Sequence, residues 1–459
     1  MTPVRARPRR LLVTLGVILG CALFVNPYLR GDGNGYYAYV RSVVIDHDLK
    51  FQNEFAHGDP AFLRATHYDG KRFPASASTK PGYIRNQWSV GASLLWAPFF
   101  LAAHALVKVV GHWPADGYSF PYRWFCAFGT ALYAALGLFL ARQVAARVTD
   151  ASSATLAVVT VLGASSLAIY MLFLPFWGLA LATLPAAILV WQWSQGATWS
   201  LRRWFLYGAM VGLATTIHPL GIAWITLLAV AWFRDKGTLR DRVAVGAVAA
   251  AGFLVAEIPQ MVIRAIAHGD ALDTGYNVEW NFTRPPLVAE LLSAKHGLFT
   301  WTPVALIAVV GLILLFRKGR DRLALGLGAT FVVLLYLSAA YVTEEQSSFG
   351  NRMFVHFTPG FVVGLAVVVA ALGRNRLRAA TAAGAVLIAW NGLFAFQWAW
   401  GLLPKRGGID WAQMVRQQFT TAPKELGSVA VRFFTDRDGL IDDVQRRDEE
   451  RISRGEDGP

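Results

Sequence analysis

The chain has 459 residues, 55% of them hydrophobic and only 16% charged, with a formal net charge of +14. A soluble protein of this length carries about a quarter charged residues, so the composition excludes a string of soluble domains. The positive charge does not point to nucleic acid, because it stands in short clusters beside apolar runs. These are Arg5, Arg7, Arg9 and Arg10; Arg234, Lys236, Arg240 and Arg242; Arg317, Lys318, Arg320 and Arg322; and Arg374, Arg376 and Arg378. Such placement is the positive-inside pattern and predicts cytoplasmic loops.

The first apolar run, Leu11–Leu29, follows the basic N-terminus as in a signal peptide. No small-residue cleavage site follows it, and Asn26-Pro27-Tyr28 leads straight into a polar loop, so an uncleaved signal anchor is expected. Residues 30–87 then form a long outer loop. Within it Tyr36, Val40, Val43 and Val44 recur at helical spacing around Arg41 and Ser42, predicting a short amphipathic helix on the membrane surface. Further spans, each able to cross roughly 30 Å of hydrocarbon, are predicted near 88–110, 122–142, 154–173, 177–193, 204–233, 243–266, 299–316, 323–342, 356–373 and 379–400. The expected fold is an all-α polytopic membrane protein of about 11 transmembrane helices.

That count places loops 267–298 and 343–355, and the tail after 400, on the outer side with 30–87. Arg142, Arg147, Arg202 and Arg203 also fall outside, against the charge bias, and Lys405 and Arg406 begin the outer tail. Pro175 and His218-Pro219 are expected to break helices in the 174–233 region. Trp88, Trp113, Trp124, Trp177, Trp204, Trp301, Trp398 and Trp400 sit at span ends, as an interfacial aromatic belt requires. Cys21 and Cys126 lie inside spans and read as packing residues. Residues 1–400 are therefore one membrane body. The tail 401–459 is expected to be weakly amphipathic (Trp411, Met414, Val415, Phe419) and then disordered.

Candidate chemistry gathers in the outer loops. Gly31-Asp32-Gly33-Asn34-Gly35-Tyr36-Tyr37 follows the first span, and three glycines around a carboxylate let a ligand approach the backbone closely. A partly desolvated interfacial carboxylate suits proton abstraction from an attacking hydroxyl; the alternative is that Asp32 caps the surface helix. Asp46-His47-Asp48, with Asn53-Glu54 nearby, offers oxygens suited to Mg²⁺ or Mn²⁺, or is merely a polar turn. Lys80 and Arg85 lie at the outer surface, where cations are partners for a phosphate or snorkelling anchors. In Glu344-Glu345-Gln346-Ser347-Ser348-Phe349-Gly350-Asn351-Arg352, Arg352 can clamp a phosphate or pair with Glu344 or Glu345. Loop 267–298, with Asp270, Asp273, Tyr276, Asn277, Glu279, Trp280 and Asn281, offers aromatic and hydrogen-bonding surface for a sugar. His218 and Glu257, in or near spans, are functional candidates or satisfied core residues.

A basic N-terminus, one span and an outer-loop Gly31-Asp32-Gly33 with Tyr36-Tyr37 resemble the GT-C superfamily of polyprenyl-phosphate-sugar-dependent glycosyltransferases. The segments Asn86-Gln87-Trp88-Ser89-Val90-Gly91 and Trp96-Ala97-Pro98-Phe99 are similar to bacterial members related to protein O-mannosyltransferases and lipid A aminoarabinose transferases. His296-Gly297-Leu298-Phe299-Thr300-Trp301-Thr302-Pro303 and Ser348-Phe349-Gly350-Asn351-Arg352 add to the likeness, which runs over residues 5–400. It implies a GT-C-like bundle in a bacterial inner membrane, with a cytoplasmic N-terminus and an extracytoplasmic site. The activity implied is inverting transfer from a polyprenyl-phosphate sugar to a hydroxyl on a glycan, lipid or protein, with no nucleic-acid partner.

On that resemblance Asp32 is the general base, Lys80, Arg85 and Arg352 hold the donor phosphate, and Tyr36, Tyr37, Glu344, Glu345 and His296 contact substrate. The family's usual acidic pair is an adjacent Asp-Glu, whereas Gly33 follows Asp32 here; Asp46 and Asp48 are candidates for the second acidic role, with or without a metal. Two rival classes share the membrane body: a lipid-linked-sugar flippase or other transporter, and a non-catalytic assembly subunit. A transporter would place ionisable groups near the midplane on paired broken helices; a scaffold needs no convergence of Asp32, Lys80 and Arg352.

Overall fold

Helix follows helix along this chain because a backbone in hydrocarbon must satisfy its own hydrogen bonds. A computed structural model describes residues 8–57, 79–196, 200–234, 237–273, 275, 280–319, 321–341, 348–403 and 409–453. Besides two short helices at Gln52–Ala56 and Leu298–Trp301, the helices are α1 (Pro8–Phe24), α2 (Asp32–Arg41), α3 (Gly91–Val110), α4 (Phe120–Val148), α5 (Ala151–Ala164), α6 (Thr183–Ser194), α7 (Leu201–Ile217), α8 (Ile225–Arg234) and α9 (Leu239–His268). They continue with α10 (Leu287–Leu292), α11 (Pro303–Arg317), α12 (Asp321–Ala340), α13 (Thr358–Leu372), α14 (Leu377–Ala399), α15 (Trp411–Phe419), α16 (Thr421–Thr435) and α17 (Arg437–Ser453).

The bundle has two chemically different ends. One collects the turns after α5, α7, α9 and α12 around α2: the Asn26 N–H donates to Leu172 O (2.6 Å), and Asn281 N–H to Ala340 O (2.8 Å). The other collects the turns after α4, α6, α8, α11 and α13. There Arg147 donates to Ser194 Oγ (2.7 Å), Trp232 Nε1 to Arg242 O (2.7 Å), and Arg322 lies 4.4 Å over the Trp193 ring.

Helix α3 is long and apolar enough to cross a membrane, yet it does not carry the chain to the other end. The chain enters it past Asn86 and Trp88, whose carbonyls accept from Tyr39 Oη at 3.1 and 2.8 Å. It leaves past Asp116 and Gly117, whose carbonyls accept from Arg41 Nε and Tyr37 Oη. Both ends of α3 are thus pinned to α2, a helix only about 15 Å long. The expected span at 88–110 is therefore a layer over the site end, lying antiparallel on the start of α4 through Trp96 Nε1 donating to Thr130 Oγ1 (2.8 Å).

A second difference offsets this one. The expected span at 204–233 is two helices, α7 and α8, separated by a 3₁₀ turn at Pro219–Trp224 where proline lacks the donor a continuous helix needs. Among the described residues eleven helices (α1, α4 to α9 and α11 to α14) run between the two ends. The net effect moves Arg142, Arg147, Arg202 and Arg203 to the end that carries Arg234, Arg317 and Arg374. The charge conflict at those four arginines disappears, while the described parts of loops 267–298 and 343–355 stay at the site end. The short helices α5, α6 and α8 are continued there by π or 3₁₀ pieces at Ile169–Phe173, Leu179–Ala182 and Pro219–Trp224, with Pro175–Trp177 between.

Small residues set the closest helix pairs, as they do where no hydrophobic gain separates helix from lipid. A Cβ on Gly208 of α7 would fall 1.8 Å from Ala249 O of α9, and one on Gly252 2.1 Å from Phe205 O. On its other face α9 exposes Leu239, Val243, Leu254, Ile258, Val262 and Ile266, a side made for lipid.

The tail is helical through Ser453, where its composition suggested disorder, because it is tied to the body as well as to itself. Phe433 and Phe434 pack on Phe173 and Phe24 at centroid distances of 6.4 and 6.2 Å. Arg437 donates to Val25 O (2.9 Å), Arg447 lies 4.2 Å over the Trp400 ring, and Arg432 pairs with Asp443 at 2.7 Å.

Candidate functional site

The segment after α1 turns sharply at Gly31, whose φ of 56° lies in the left-handed region that favours glycine. Gly31 caps α2 without any side-chain bond, and Asp32 opens the helix. The carboxylate of Asp32 does not cap. It reaches across the fold, and Arg352 Nη1 donates to its Oδ2 at 2.7 Å, joining residues 320 apart. Gly33 and Gly35 let α2 lie this close: a Cβ at 33 would stand 2.7 Å from Phe176 Cβ, and one at 35 would lie 1.9 Å from the Trp88 ring. Nothing larger fits at 33, which explains why no second acid follows Asp32.

Arg352 begins a 3₁₀ turn, Arg352–Phe357, capped by Asn351 Oδ1, which accepts from Met353 N–H (3.3 Å). Asn351 Nδ2 in turn donates to Glu290 Oε1 (2.7 Å), as does Ser338 Oγ. Burial pushes the Glu290 carboxyl up, against the pull of those two donors. The Arg352 guanidinium stands 5.1 Å from the Trp177 ring. Its side chain is 13% exposed and that of Asp32 32%, so the pair is screened on one side and wet on the other. Nearby, Tyr170 Oη accepts from Phe349 N–H (3.1 Å), holding the approach to Arg352. His218 and His356 lie with ring centroids 5.1 Å apart, His218 Nδ1 accepting from Leu220 N–H (3.3 Å).

The other candidates scatter. Arg85 pairs with Asp273 (3.1 Å), which His268 Nδ1 also meets (3.0 Å); burial opposes the Asp273 charge, but Gly275 N–H, His268 and Arg85 hold its carboxyl below its usual value. Lys80 is exposed in the turn before it. Among the described residues no hydrogen bond or ion pair links Lys80 or Arg85 to Asp32.

Tyr36 is buried beside Trp88, at a centroid distance of 6.4 Å. Tyr37, expected to contact substrate, is fully buried among Trp96, Phe100, Tyr118 and Phe176 with its hydroxyl donated to Gly117 O; it packs the layer beneath the site. His296 stacks toward Trp301 at 6.2 Å. Glu344 and Glu345, like Tyr276, Asn277 and Glu279, lie outside the described residues.

Asp46 and Asp48 do not converge as a ligand set. Asp46 Oδ2 accepts from Arg41 Nη1 and Asn53 Nδ2 (2.7 Å), and Asp48 Oδ1 accepts from Ser42 Oγ (2.9 Å) and Lys50 N–H (3.2 Å). Burial acts to raise Asp46, but its donors outweigh it and lower the pKa. Glu54 shares the same Arg41 at 2.6 Å, and burial pushes its pKa to about 7. No group of three or more His, Cys, Asp or Glu able to hold a metal occurs among the described residues.

One residue was missed. Arg30 stands two positions before Asp32, makes no ion pair among the described residues, and lines an apolar cavity of 470 Å³. An arginine directly after the first span, against the positive-inside bias, was the signal available.

No family model and no curated protein matches the chain. Among solved structures it is similar to ArnT from Cupriavidus metallidurans in the apo state, with 16% identity and a TM-score of 0.47 over 85% of this chain and 64% of that one. It is also similar to the same organism's ArnT bound to undecaprenyl phosphate, with 17% identity and a TM-score of 0.49 over 96% of this chain and 74% of that one. The chain thus spans 64% of the length of the first of these structures, and likeness at this level gives no residue equivalences.

Proposed function

We propose that the chain is an integral membrane glycosyltransferase of GT-C type, moving a sugar from a polyprenyl-phosphate donor to an acceptor hydroxyl with inversion. The observation that carries this reading is the Asp32–Arg352 pair: a carboxylate and a guanidinium from opposite ends of the chain, half-screened, at the end of the bundle away from the basic turns. Those turns are cytoplasmic by the charge bias, so the pair faces outward, in a bacterial inner membrane on this reading.

In the resting state Arg352 donates to Asp32 and orients it. An incoming sugar phosphate competes for Arg352, whose planar fork matches phosphate oxygens. Asp32 then accepts the proton of the acceptor hydroxyl as its oxygen bonds to the anomeric carbon from the face opposite the phosphate. The anomeric C–O bond breaks and its electron pair stays on the departing lipid monophosphate. Arg352 offsets that charge, the largest to develop in the reaction. Arg30 assists in this scheme, whereas Arg85 and Lys80 act as an outer cationic rim rather than as the clamp. Exchange of Arg352 for Met in proteoliposomes supplied with a labelled polyprenyl-phosphate sugar tests the clamp; unchanged turnover would remove it.

A further inference from the structure

We propose that the cavity beside Arg30 binds the hydrocarbon chain of a lipid monophosphate, and that the C-terminal helices α16 and α17 are its removable wall. The assignment deepens the glycosyltransferase reading, on which the choice of phosphate as headgroup rests.

The cavity, half open to the outside, measures 470 Å³ between α1, α5, α14, α16 and α17, and its walls are mostly apolar, including Phe24, Phe173, Phe396 and Phe433. That volume is in the range of ligand pockets, about 300–1,000 Å³. Its charged groups are two arginines, Arg30 and Arg437, with no acidic residue in the lining, so an anionic headgroup is favoured. Arg437 is already held by Val25 O and lies over the Phe433 ring, whereas Arg30 makes no ion pair among the described residues. Three lining residues, Asn26, Asn391 and Trp400, each keep a buried polar atom without a partner among the described residues; Asn391 is 2% exposed. A buried polar atom normally finds a partner, and a headgroup or its water supplies one. The chain would run from Asp32's neighbour Arg30 toward the bilayer under α16, whose Leu426, Val431 and Phe434 are exposed apolar side chains. The wall is held by two aromatic contacts (Phe434 on Phe24, Phe433 on Phe173), by Arg437 on Val25 O and by Arg447 over the Trp400 ring, ties that can part without breaking the bundle.

The test uses the full chain in nanodiscs with dodecyl phosphate carrying a terminal diazirine, and maps the light-induced adducts by peptide mass spectrometry. Adducts are expected on segments 163–173, 391–400 and 426–444, displaced by unlabelled dodecyl phosphate at least tenfold better than by dodecanol, and not by inorganic phosphate. Val429→Trp, which fills the cavity, should lower this labelling at least fivefold. Cysteines replacing Phe24 and Phe434, joined by a short cleavable cross-linker, should slow it as much until the linker is cut, which controls for misfolding. Adducts spread over lipid-facing helices such as α9, or indifferent to both variants, overturn the proposal. Labelling of Asp32→Asn is expected to match wild type. If labelling fails while transfer still needs Asp32, the cavity assignment alone falls; if labelling holds while Asp32→Asn transfers sugar normally, only the transferase reading falls.

Discussion

Replacing Arg352 with Met isolates the pair at the centre of this account. At 2.7 Å and an effective dielectric of about 20, the gross attraction to Asp32 is about 6 kcal/mol, much of it offset by desolvation. Removing one partner of a fully buried pair costs about 3–5 kcal/mol; Asp32, a third exposed, can rehydrate, so the loss should be nearer 2–3 kcal/mol. Arg352→Lys keeps the charge but loses the flat contact with Trp177, about 1 kcal/mol. Unfolding of both variants, of Asp32→Asn and of the double variant, followed by denaturant titration in mixed micelles, forms a cycle whose coupling should exceed about 1 kcal/mol. Initial rates on the same preparations should fall about 10²–10³-fold for Arg352→Met if the guanidinium meets the leaving phosphate. Additive stabilities together with an unchanged rate would refute the pair as either a structural or a chemical unit.

Gly33→Ala should destabilise by about 1–3 kcal/mol, and Gly33→Glu, which would recreate an adjacent acidic pair, should abolish activity, because a Cβ there meets Phe176 at 2.7 Å; a stable, active Gly33→Glu protein would contradict the packing argument. Glu54 is raised from an ordinary 4.5 to about 7, so the stability it contributes is full below about 4.5 and is lost as pH climbs through 7. The melting temperature of Glu54→Gln should therefore gain on wild type between pH 5 and 8, and a flat difference would mean that Glu54 is ionised throughout. Single cysteines replacing Lys108 and Arg85 should react with an impermeant thiol reagent from one side and a cysteine replacing Arg147 from the other, since Cys21 and Cys126 are buried; labelling of Lys108→Cys from the Arg147 side would restore α3 as a crossing helix.

Much of the bundle is legible in hydropathy, because a run of about 20 apolar residues must become a helix in lipid. Hydropathy cannot tell a crossing helix from one that lies along a face, and α3 shows the ambiguity: only the ties from Tyr37, Tyr39 and Arg41 to both of its ends place it. The four arginines at 142, 147, 202 and 203 carried the warning, since their side conflicted with the charge bias until α3 was removed from the count. Asp32 stood out by its glycines, yet the alternative of a helix cap was settled by distance alone. Arg352 and Asp32 are 320 residues apart, and no local pattern encodes such a meeting. Arg85 had the right residue type in the right loop, but Asp273 occupies it. The helical tail was hidden because its ties to Val25, Phe24 and Trp400 are long-range, whereas its composition is polar.

Asp32 is the group proposed to take the proton, and its replacement is the most direct test. Transfer from a labelled polyprenyl-phosphate sugar should be measured with Asp32→Asn and wild type in matched proteoliposomes, with equal folding checked first. A fall of about 10²–10⁴-fold in turnover, with donor binding retained, is the predicted result. Turnover at the wild-type rate would contradict it and return the transporter and scaffold readings to the front.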